Sequence, residues 1–197
     1  MALLRDAESL VVAKSVDLQI LNSSGNEFRK LKPSASGNPY DKIVVGAATL
    51  RHASDSTGAE TPTILLLKRA PHEPYFPNVF ELPSGKVDPG DPSLKAALVR
   101  EVHEETGLNV TEVLAELKPM VYTTEKAITD NTNRDVIVSR TAIQLNYVTL
   151  VSKGEVNINT DEHSESCWVS EAESHSLDIT MAMRAVVHEA FQWATTG

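Results

Sequence analysis

The stretch Arg100-Glu101-Val102-His103-Glu104-Glu105-Thr106-Gly107 decides the reading of this chain. A helix turns about 100° per residue. Glu101, Glu104 and Glu105 then share one arc of a short helix, as i, i+3 and i+4 neighbours. At an effective dielectric of about 20 and a separation near 6 Å, each pair of carboxylates repels by roughly 3 kcal/mol. Arg100, one turn before Glu104, supplies one counter-charge. A hard divalent cation would neutralise the rest, and Mg²⁺ takes oxygen ligands, keeps several waters and bridges to phosphates. On the three acids alone a second reading stands beside this one, a solvated acidic helix face.

The flanking residues favour the first reading. Phe80-Glu81-Leu82-Pro83-Ser84-Gly85-Lys86-Val87-Asp88-Pro89-Gly90-Asp91-Pro92 precedes the helix, and Gly107 follows it. Asp91 before Pro92 predicts an N-cap with proline at the first helical position. Gly107 suits the position just past the helix end. Leu94, Leu98 and Val102 form an i, i+4, i+8 stripe that can pack on a sheet. The acidic face borders that stripe, so the carboxylates are expected at the edge of a cleft.

Gly85, Arg100, Glu101, Val102, Glu104, Glu105, Gly107 and Leu108 together resemble the signature of the Nudix hydrolases. Leu82-Pro83 and Ala96-Ala97 are similar to the family as well. The first motif acid is Asp91 instead of Glu, and eight residues instead of seven separate it from Arg100. In a regular helix one extra residue would turn Asp91 by about 100°. Either the first turn absorbs it or Asp91 is only the cap, and the following proline favours the cap. Ser84-Gly85 replaces the usual Gly-Gly.

The resemblance implies an α/β fold, an α/β/α sandwich around a mixed sheet. It implies a Mg²⁺- or Mn²⁺-dependent pyrophosphohydrolase that cleaves a nucleoside diphosphate linked to another group, such as an NDP-sugar, a dinucleotide or a (d)NTP. Glu101, Glu104 and Glu105 would be catalytic metal ligands, with Arg100 holding a carboxylate in place. The backbone carbonyl of Ser84 would join the metal site. So would Glu162, six residues before Trp168, unless it is an exposed loop glutamate. The irregular first half keeps a second class open, a Nudix-fold nucleotide-binding or sensor module with weak catalysis.

The remaining residues say less about chemistry. Lys68 and Arg69 either touch phosphates or end a strand. Phe80, with Tyr75, Phe76 and Tyr122, either stacks on a base or packs the core. Pro119 and Tyr122 fit no substrate subclass well. His163 and His103 are candidate bases by residue type, and the helical angle of His103 points it to solvent. Cys167 beside Trp168 reads as a packed small apolar residue.

Composition bounds the rest. The 197 residues suit one domain, 1–197, with an N-terminal extension of about 40 residues of uncertain structure. Net charge is -9, with pI near 5.1 and no basic cluster, which argues against nucleic-acid polymers as partners. The expected partner is a small nucleoside diphosphate derivative, with a homodimer left open. One cysteine excludes an internal disulfide and fits a reducing, cytoplasmic setting. No apolar run reaches membrane-spanning length and the start does not read as a signal peptide, so no membrane partner is expected.

The pattern predicts strands at Lys42 to Leu50, Thr63 to Lys68, Val79 to Leu82, Val113 to Thr123, Val136 to Val151 and Glu165 to Val169. It predicts a closing helix over Thr180 to Trp193. Arg51 to Pro62 and Thr124 to Asp135 are expected as polar loops. Val16 to Leu21 alternates in polarity, and Asn22 to Tyr40 is turn-rich.

Overall fold

The computed structural model describes residues 10–54, 60–129 and 135–196. In chain order its elements are β1 (Val11–Val12), α1 (Leu18–Leu21), α2 (Gly25–Leu31), β2 (Lys42–Ser54) and β3 (Glu60–Arg69). β4 (Phe80–Glu81), β5 (Ser84–Lys86), α3 (Leu94–Thr106), β6 (Val110–Thr129) and β7 (Asp135–Val151) follow. β8 (His163–Val169), α4 (Glu171–Ser174) and α5 (Met181–Thr196) close the chain.

One mixed sheet has the order β1-β6-β7-β2-β3-β4, with β5 paired to β2 and β8 to β3. β2 runs parallel to β7 from Lys42↔Ala142 to Leu50↔Leu150, and antiparallel to β3. Alternation along β2 sends its side chains to two cores. Ile43, Val45 and Ala47 pack with Val16, Ile20, Leu21 and Phe28 of the N-terminal segment and with Leu94, Leu98 and Val102 of α3. Ala48 and Leu50 pack instead with Met183, Val186, Val187, Ala190 and Phe191 of α5. Helices therefore cover both faces, the expected α/β/α arrangement.

Several sequence expectations need correction. The predicted polar loops are largely strand. β2 runs on to Ser54 and β3 starts at Glu60, with Ser54↔Glu60 still in register. β6 and β7 pair as far as Thr129↔Asp135, and 130–134 lie outside the described residues. The neighbouring residues His52, Ala53, Glu60, Thr61, Glu125, Asp135, Val136 and Ile137 are all exposed, so no hydrophobic alternation marks these ribbon ends. The turn-rich stretch contains α2, whose N-cap Ser24 forms a capping box with Glu27.

Asp91 is not the cap of α3. Ser93 is, accepting the N–H of Ala96, and the helix begins at Leu94. The extra signature residue is thus absorbed before the helix. At the other end Gly107 takes the left-handed conformation, φ 70°, and donates its N–H to His103.

Candidate active site

The site forms where β5 pairs with the first half of β2, on the edge that β3 takes up from Leu50 onward. β5 lies along β2 in the register Gly46↔Ser84, Val45↔Gly85 and Val44↔Lys86. α3 packs behind it. Glu105 is 3% exposed and accepts the backbone N–H of Ser84 at 2.8 Å. Gly85 lets Glu101 approach equally closely, since a Cβ there would lie 2.2 Å from the Glu101 carboxyl. Gly46 leaves room for two buried amides, because its Cβ would lie 2.6 Å from Asn146 Oδ1 and 2.7 Å from Gln144 Nε2.

Arg100 ties the loop to the helix. Its guanidinium donates to Asp91 at 3.0 and 2.8 Å, to Glu104 at 2.9 Å and to the Lys86 carbonyl at 3.0 Å. It also pairs with Glu101 at 2.8 Å. These contacts push its pKa further up, the bond to Asp91 most of all. Asp91 accepts the Asp88 N–H at 2.8 Å as well. Burial disfavours its charge, but Arg100 and that N–H outweigh burial and hold the carboxyl below the usual range.

The buried acids respond the other way. Desolvation raises Glu101 despite Arg100, and Glu104 and Glu162 add to the rise. Desolvation raises Glu105 strongly, the Ser84 N–H opposes it, and Glu81, Glu101 and Glu162 raise it further. Two carboxyls thus sit in one shielded field, with the Arg100 cation in direct contact with Glu101. A divalent ion would suit that donor set. Among the described residues no three acidic, His or Cys side chains already form a cage. Arg100 holds Glu101, and Glu104 is 53% exposed at the rim. Mg²⁺ commonly binds through one or two carboxylates with waters and substrate phosphates, which is compatible with such an open set.

The other predicted residues divide. The backbone of Ser84 lies in the site through its bond to Glu105. Glu162 is exposed and accepts from Asn159 at 3.1 Å, yet its charge reaches both Glu101 and Glu105. Lys68 pairs with Glu165 at 3.4 Å and lies 5.4 Å over the Phe80 ring. Arg69 is already engaged, with Glu81 at 2.6 Å, Glu73 at 2.7 Å and the Tyr75 carbonyl at 2.8 Å. Phe80 is 6% exposed and belongs to the α5 core, so the stacking role expected for it is withdrawn. Tyr75 and Phe76 are the exposed aromatics nearby in sequence. His103 is exposed, as its helical angle predicts, whereas His163 is buried and thus shielded from solvent. Burial pushes the Cys167 thiol up to about 11, consistent with packing.

Sequence reasoning missed Lys42 and Glu81. Partial burial and the neighbouring Lys86 and Arg69 lower the Lys42 pKa, while Glu81 and Glu101 oppose them. Strand parity was the available signal for Glu81. It follows a core phenylalanine, so its side chain takes the opposite face.

A family model described as the NUDIX domain matches residues 45–190. The chain belongs to the Nudix family. The Mycobacterium tuberculosis protein named "Putative 8-oxo-dGTP diphosphatase 2" is 30% identical over 144 residues, 73% of this chain and 84% of the relative. The Escherichia coli nucleoside triphosphatase NudI is 28% identical, over 61% of this chain and 82% of the relative. The NUDIX domain of Shewanella oneidensis NrtR, solved with ADP ribose, matches at TM-score 0.54 and 16% identity. That match covers 84% of this chain and 96% of the other, and it speaks for the fold alone.

Proposed function

We propose that this Nudix enzyme uses a divalent cation to hydrolyse a phosphoanhydride in a nucleoside diphosphate linked to another group, with nucleoside triphosphates the first class to test. The observation that carries the proposal is the pair of shielded carboxyls, Glu101 and Glu105, packed against Ser84 and Gly85 of β5. The names of the two relatives support the triphosphate class. Glu101, Glu104 and Glu105 would hold Mg²⁺ or Mn²⁺, with the Ser84 carbonyl and Glu162 as further donors. Once bound, such an ion supplies charge neutralisation for the diphosphate and an acidified water. Arg100 keeps Glu101 and Glu104 aimed, and its hold on Asp91 fixes the loop that carries Ser84. Lys42 and Lys68 are the candidate phosphate contacts, since Arg69 is occupied by two carboxylates. We also propose that residues 1–197 act as one domain, because the segment through Phe28 shares the core of α3.

The test is a panel of (d)NTPs, NDP-sugars and dinucleotides incubated with Mg²⁺ or Mn²⁺. Hydrolysis is expected, lost with EDTA and reduced about 10²-fold in Glu105→Gln, or about 2.7 kcal/mol of barrier. A protein that binds a nucleotide but turns over no member of the panel would instead be a binding module.

A further inference from the structure

Beside the signature lies a second cluster that the signature does not account for. β4, β3 and β8 are adjacent strands, with Leu67↔Glu81 and Arg69↔His163 in register. Between Lys68 and Arg69 the β3–β8 register slips, so that Lys68 faces Glu165 while Arg69 faces His163. Ser164 is the residue left over. Without this bulge Ser164 would stand opposite Arg69. Bulges re-aim side chains and recur beside active sites.

The re-aimed side chain is unusual in its surroundings. His163 is 2% exposed, and neither ring nitrogen has a hydrogen-bond partner among the described residues. Buried polar atoms are nearly always paired, so an unpaired imidazole calls for a cause. Its Nε2 lies 3.6 Å from Glu81 Oε1, just beyond hydrogen-bond length. On the other side Arg69 holds the same Oε1 at 2.6 Å. Arg69 is itself steadied by Glu73 and by the Tyr75 carbonyl. Glu81 lies three residues before Ser84, whose N–H binds Glu105.

We propose that Glu81 is a further acid of the active site, and that Arg69 and the buried His163 are positioning residues that aim it. This rests on the metal-dependent reading above. A shift of a few tenths of an ångström closes the Nε2 to Oε1 gap into a hydrogen bond. Glu81 is then gripped from two sides, with its second oxygen left for the site. A merely structural histidine makes the opposite forecast, since replacing an unpaired buried imidazole by an apolar side chain should leave function alone.

The experiment compares the full chain with Glu81→Gln, His163→Leu and His163→Gln. It reads Mn²⁺ affinity by electron paramagnetic resonance, kcat and KM on the best panel substrate, and the melting temperature. Glu81→Gln and His163→Leu should each lower Mn²⁺ affinity or kcat by about 10-fold or more, the range for residues that orient metal ligands. KM should stay within threefold, on the order set for an interaction outside ground-state binding. The melting point of His163→Leu should be unchanged or higher. His163→Gln, which restores an N–H donor, should recover most of the loss. Wild-type-like affinity and kcat in Glu81→Gln overturn the proposal, as does His163→Gln failing to rescue. If His163→Leu does not fold, Glu81→Gln and His163→Gln carry the decision. A wild-type chain with neither Mn²⁺ binding nor turnover would instead defeat the metal-dependent reading itself.

Discussion

Gly85 has no room for a side chain, and the reason is a functional group. The atoms that a Cβ would meet are the carboxyl carbon and oxygens of Glu101, at 2.2 to 2.5 Å. The end of a glutamate can swing away cheaply, so Gly85→Ala should barely disturb folding. It should displace Glu101 and lower kcat by at least about tenfold, the scale of a misplaced site group. Thermal melting and steady-state kinetics separate the two effects, and an equal loss of both would contradict the assignment. The residues in this contact were legible in the sequence because glycine and glutamate belong to one local motif. For Glu81 only strand parity was available, which marks its face and not its company, because Arg69 and His163 arrive from other strands across a bulge. Nothing in local spacing encodes that meeting.

At the scale of elements, the start of α3 departs from the sequence reading. Asp91-Pro92 carries the marks of a cap, yet Ser93 caps the helix. Local chemistry permits both, and Arg100 decides between them by drawing Asp91 into a two-pronged ion pair. The pairing has a pH signature. The folded pKa of Asp91 lies below its ordinary value near 3.9. The unfolded chain therefore binds more protons in that range, and stability rises with pH. The contribution is fully present above the unfolded pKa and is lost as pH falls through the folded one. At pH 7 Asp91→Asn should cost about 1.5 kcal/mol, as for hydrogen bonds to a charged group. For a chain of this size that lowers melting by roughly 3–6 °C. The gap to wild type should close as pH falls below about 4. A gap that is constant across melts from pH 7 to pH 3 would mean that charge is not what Asp91 contributes. The ends of the β6–β7 ribbon were missed for a different reason. A strand solvated on both faces has no alternation to read.

For the whole molecule, the α/β/α layering was legible, whereas the place of the N-terminal segment was not. Ser24 and Glu27 form a recognisable capping box, but a seven-residue helix has too little periodicity to announce its core face. Its destination is set by the sheet, where Phe28 is 1% exposed against Tyr40 and the β2 core. Phe28→Ala should cost about 3–5 kcal/mol, the usual penalty for emptying a buried aromatic site. That is a drop of roughly 10 °C in a single transition at about 2–4 °C per kcal/mol. A small early transition with the main one unmoved would show that the segment is an appendage and not part of the domain. The central pairing of β2 with β7 has a consequence in time. Its partners lie about a hundred positions apart, as in the buried Thr49–Thr149 hydroxyl contact with a separation of 100. Closing so large a loop carries an entropic barrier before any contact rewards it, so this pairing belongs among the late steps of folding. Ser84 and Gly85 of β5 pair with that same β2 strand. Local helices and hairpins can form early, but the carboxylates acquire their setting only when the distant halves of the chain have met, so a nascent or partly folded chain should be catalytically silent.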